Sequence, residues 1–108
     1  MQTTLVRYTF RPDVNMEEVD GTLLLAVIAV TSLFGETRVQ LEARHVFDPK
    51  LRSCVIDAET EVGRTINQLF LGYLHQEFGH EAFTVERIRT PGTNGVPHPV
   101  ETPEPATI

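Results

Sequence analysis

Several kinds of residue and segment are scarce in this sequence, and each scarcity excludes a class of protein. Among its 108 residues there is 1 cysteine, Cys54, so no intramolecular disulfide can form and a disulfide-stapled secreted domain is excluded. The most apolar run, residues 23–30, is far shorter than the roughly 20 residues that a membrane-spanning helix needs. The first residues lack the basic start and continuous apolar stretch of a signal peptide. We therefore expect a soluble, cytoplasmic protein without membrane contact.

Basic residues are also scarce. The chain has 9 Lys and Arg against 15 Asp and Glu, which gives a formal net charge of −6. A chain of this sign repels a phosphate backbone, so no nucleic-acid partner is expected. The hydrophobic fraction of 41% and the charged fraction of 22% are typical of a globular protein, and the length suits one domain.

The pattern of apolar residues predicts six elements in the order strand, helix, two strands, helix, strand. A period of two or of three to four residues predicts strands over 3–11, 37–47, 52–58 and 83–88, a helix over 16–34, and a second helix that follows its cap Thr60 and runs to residue 78. Asn15 is the predicted N-cap of the first helix, and Gly35 is its predicted stop. This order is typical of an α+β fold of the ferredoxin-like type, a β-α-β-β-α-β plait. We expect one domain over residues 1–90, with an antiparallel sheet and two helices on one of its faces.

Residues 91–108 have a different composition. This segment holds 5 of the 7 prolines of the chain and has no apolar periodicity. Such a composition cannot bury enough apolar surface to offset the entropy of ordering, so a disordered tail is predicted.

The first predicted helix is apolar on more than one side. Its core-facing stripe is sufficient for packing on a sheet, yet Leu24, Leu25, Ile28 and Ala29 continue the apolar surface around the back. A helix that is apolar all round is normally buried all round, which a monomer of this size cannot achieve. The pattern predicts a homodimer through these residues; the alternative is a solvated apolar patch.

The predicted hairpin places two reactive side chains together. If its turn is centred on Pro49 and Lys50, Phe47 faces Arg52 and His45 faces Cys54. An imidazole directly across two strands from a thiol could activate that thiol or supply part of a metal site. The alternative is an inert cysteine packed in the core.

The uncovered face of the predicted sheet carries several arginines. Arg7, Arg11 and Arg44 fall on this face by alternation and could bind a carboxylate or phosphate group. The alternative is a solvated lattice of mixed charges. His75 and His80 do not have the spacing of the zinc-protease motif, and Gly79 separates them. We therefore expect no metal and no cofactor.

The sequence contains no complete catalytic constellation. It favours a small dimeric domain without enzymatic activity that binds a protein partner or a small ligand. The alternative function is an enzyme, or a metal or thiol site, built around His45 and Cys54.

Overall fold

The structure is a computed structural model. It describes the backbone of residues 2–91 and the side chains of residues 4–88, so nearly all of the predicted tail lies outside the described residues. Over this range the chain forms an α+β fold with a four-stranded antiparallel sheet and three α-helices. The elements in chain order are β1 (Gln2–Phe10), α1 (Met16–Phe34), α2 (Glu36–Glu42), β2 (His45–Asp48), β3 (Ser53–Asp57), α3 (Glu61–Phe78), a 3₁₀ turn (His80–Ala82) and β4 (Phe83–Pro91).

The sheet has the strand order β2-β3-β1-β4, and every neighbouring pair is antiparallel. The two central strands are β1 and β3, and the edges are β2 and β4. Tyr8 lies opposite Cys54 on β3 and opposite Val85 on β4, so it sits at the middle of the sheet.

The core lies on one face of this sheet. Alternate strand residues are buried there against the helices: Val6, Tyr8, Phe10, Cys54, Ile56 and Phe83. The residues between them point to the opposite side, which we call the open face. On the open face Arg7, Val55 and Glu86 are half-buried and Thr9 is exposed. The sheet is therefore covered by helices on one side.

The ends of the long helices follow from local chemistry. At the start of α1 the side chain of Asn15 accepts hydrogen bonds from the backbone N–H groups of Glu17 (2.8 Å) and Glu18 (3.3 Å). At its end Gly35 adopts φ 91°, a conformation that disfavours residues with a Cβ. Thr60 caps α3 by accepting from the N–H of Gly63 at 2.9 Å. The predicted bounds of these two helices are confirmed.

The predicted strand over residues 37–47 is wrong in its first half. Residues Glu36–Glu42 form α2, so the fold has three helices rather than the two expected. The guanidinium of Arg38 pairs with Glu42 one turn later (3.1 Å) and with Glu61 of α3 (3.0 Å). Because only Val39 of this segment is buried, its alternating apolar residues do not form a strand face.

The predicted register of the hairpin is also wrong. Phe47, not His45, lies opposite Cys54, and His45 lies opposite Ile56. The connecting loop is longer than the predicted turn: the last pair is Asp48 with Ser53, and the loop spans residues 49–52. Within this loop the carboxylate of Asp48 accepts hydrogen bonds from the backbone N–H groups of Lys50 and Leu51, both at 3.1 Å.

Arg52 was predicted to be in the third strand and instead closes this loop with φ 56°. Its guanidinium donates to the carbonyl oxygen of Arg11, from Nε at 3.1 Å and from Nη2 at 2.6 Å, and also to that of Val14. Its own carbonyl oxygen accepts from the N–H of Phe10 at 2.9 Å. Arg52 therefore joins the hairpin loop to the connection between β1 and α1.

None of the helices described here is both long enough and apolar enough to cross a membrane.

Candidate functional site

The outward surface of α1 carries three exposed aliphatic side chains next to one another. Leu24, Leu25 and Ile28 expose 58%, 58% and 54% of their surface, and Ala29 is half-buried beside them. The opposite side of the helix carries the core residues Val19, Leu23, Ala26 and Val30. These exposed aliphatic side chains lie three and four residues apart, so they form one contiguous patch, which we call the α1 patch.

The charges around the α1 patch are distributed unevenly. Residues 21–34 contain no charged side chain. Glu17 and Glu18 lie in the first turn and Asp20 follows, and the last turn has no basic residue. The patch is therefore an uncharged surface with acidic groups at the start of α1 and with Glu36 and Arg38 just beyond its end.

Cys54 is in the closed core. Its exposure is 0%, and it lies on β3 directly opposite Tyr8 and Phe47. Burial, with a smaller effect of the Asp20 charge, raises the pKa of the Cys54 thiol to about 12. A thiol with this pKa is protonated at neutral pH and is a poor nucleophile.

The predicted His45–Cys54 pair is not formed as a facing pair. His45 begins the edge strand β2, its side chain is exposed, and its cross-strand neighbour is Ile56. Cys54 is fully buried while His45 is exposed, and the charges that act on the thiol do not include that of His45. The geometry therefore provides no base for the thiol.

The structure places a hydrogen bond beside Cys54 that sequence reasoning missed. The buried hydroxyl of Tyr8 donates to Oδ1 of Asn67 on α3 at 2.6 Å. Burial, together with the neighbouring Cys54, raises the pKa of the Tyr8 phenol. The ring of Tyr8 packs edge-on against Phe70 at 4.9 Å. The Tyr8 hydroxyl is therefore satisfied by a half-buried amide at the border of the core.

The three arginines predicted to bind an anion are not brought together. Arg7 lies in the middle of the open face and pairs with Glu86 at 3.0 Å. Arg44 is exposed in the connection before β2, where its carbonyl oxygen accepts from the N–H of Asp57. Arg11 lies just beyond the opposite end of β1. It is six residues after Leu5, which pairs with Asp57, so Arg11 and Arg44 are separated by roughly 20 Å along the strand.

Arg11 lines a shallow pocket of about 280 Å³ with Asp13, Phe78, Glu81 and Ala82. Its side chain is 62% exposed and lies 4.0 Å from the carboxylate of Asp13, which is 85% exposed. The pocket carries the positive charge of Arg11 and the negative charges of Asp13 and Glu81 in contact with solvent. This mixture favours neither an anionic nor a cationic ligand.

Near that pocket two histidines are stacked. The rings of His75 and His80 are 4.1 Å apart and 15° from parallel, and His75 also stacks on Phe83 at 5.4 Å. Parallel rings hold their nitrogens side by side and do not direct them to one ion. In the part of the chain that the structure describes, no group of three or more His, Cys, Asp or Glu could hold a metal.

Comparison with known proteins gives no match: no family model, no curated protein and no solved structure is similar to this chain.

Proposed function

We propose that this chain is a non-enzymatic binding domain that forms a homodimer through the α1 patch and uses the open face of its sheet for a partner or ligand. The observation that carries this proposal is the exposure of Leu24, Leu25 and Ile28 on the side of α1 that faces away from the core. Monomeric proteins seldom leave a contiguous aliphatic surface of this kind in water.

The proposal includes a finer assignment of the fold. We propose a ferredoxin-like plait in which α1 and α3 are the two crossover helices and α2 is an addition before β2. The antiparallel strand order β2-β3-β1-β4 supports this, since each crossover then joins two strands that have a third between them.

The open face offers the second surface. Its central row across the sheet is Val46, Val55, Arg7 and Glu86, and Val46 is 64% exposed. A protein partner could pack on the aliphatic side chains of this row and leave the Arg7–Glu86 pair at the polar rim of the contact. The free cysteine in the core is suited to the reducing conditions of the cytoplasm, where we propose that the protein acts.

The dimer is tested by measuring mass. Light scattering at micromolar concentration should give twice the chain mass of 12.1 kDa for the wild type. Leu25→Glu and Ile28→Glu should give the monomer mass, because each places two charges in the interface. Leu51→Glu is the matched control, since Leu51 is 70% exposed but lies on the hairpin loop. A monomeric wild type, or a dimer that all three variants preserve, would contradict the proposal.

A further inference from the structure

We draw no further inference here: the strongest candidate, the exposed aliphatic face of α1 around Leu24, Leu25 and Ile28, belongs to the site already described, and nothing in the structure shows what covers it or in which orientation.

Discussion

Gly63 lies so close to Asp57 that a Cβ at position 63 would be 2.0 Å from the carbonyl oxygen of Asp57. The same Cβ would be 3.2 Å from Oγ1 of Thr60, which caps the helix by accepting from the N–H of Gly63. The end of β3 and the first turn of α3 therefore touch through backbone atoms. This contact fixes how α3 leaves the sheet.

Gly63→Ala is expected to destabilise the domain, because the strand end or the helix has to move. The cost should exceed about 2 kcal/mol, in the range of changes that introduce a steric conflict in a packed site. Gly72→Ala in the same helix is the matched control, since a Cβ there meets nothing within 4 Å. It should stabilise by about 0.5–1 kcal/mol through helix propensity. Urea unfolding monitored by circular dichroism measures both, and equal effects of the two changes would contradict the contact.

The reactivity of Cys54 provides a test of the non-enzymatic assignment. A thiol reagent should label native Cys54 slowly, because the side chain is fully buried and its pKa is raised to about 12. Labelling in denaturant should be fast, which shows that protection comes from the fold.

His45→Ala supplies the control for that experiment. The labelling rate should be unchanged, since His45 lies opposite Ile56 and is exposed. Rapid native labelling that slows in His45→Ala would support the alternative of an activated thiol and contradict the proposed function.

Alkaline pH should destabilise the fold through the same cysteine. The unfolded thiol titrates near its ordinary pKa of about 8.5, whereas the folded thiol keeps its proton up to about 12. The unfolded state therefore binds fewer protons above pH 8.5, and the free energy of unfolding falls by up to about 1.4 kcal/mol per pH unit. The contribution is complete below pH 8.5 and is lost as the pH rises toward 12. Comparing urea unfolding of wild type with that of Cys54→Ala between pH 7 and 10 measures it. An equal decline in both would show that other groups are responsible.

Local signals predicted the long helices well. Asn15 and Thr60 are side-chain caps that act within a few residues, and Gly35 and Gly79 adopt positive φ where the helices end. The α1 patch was also predictable, because a helical period assigns each residue to a side without any knowledge of the sheet.

The errors arose where distant residues decide the structure. The segment Glu36–Glu42 is a helix that buries Val39 and pairs Arg38 with Glu61, which is 23 residues away. The hairpin register depends on Arg52, whose guanidinium bonds to Arg11 and Val14 across the molecule. A short-range pattern contains neither contact, and it therefore favours a two-residue turn. That turn implies a register in which His45 faces Cys54, so the error in the turn produced the error in the pair.

Because the helices lie on a single side of the sheet, the proposed dimer would have two separate open faces, one on each copy. Two copies joined through α1 would place their helical layers at the centre and their sheets outermost. The rows that contain Arg7 and Glu86 would then point in opposite directions. If the proposed dimer forms and both open faces bind, such a particle would bridge two separate targets instead of enclosing one, because the two faces would point away from each other.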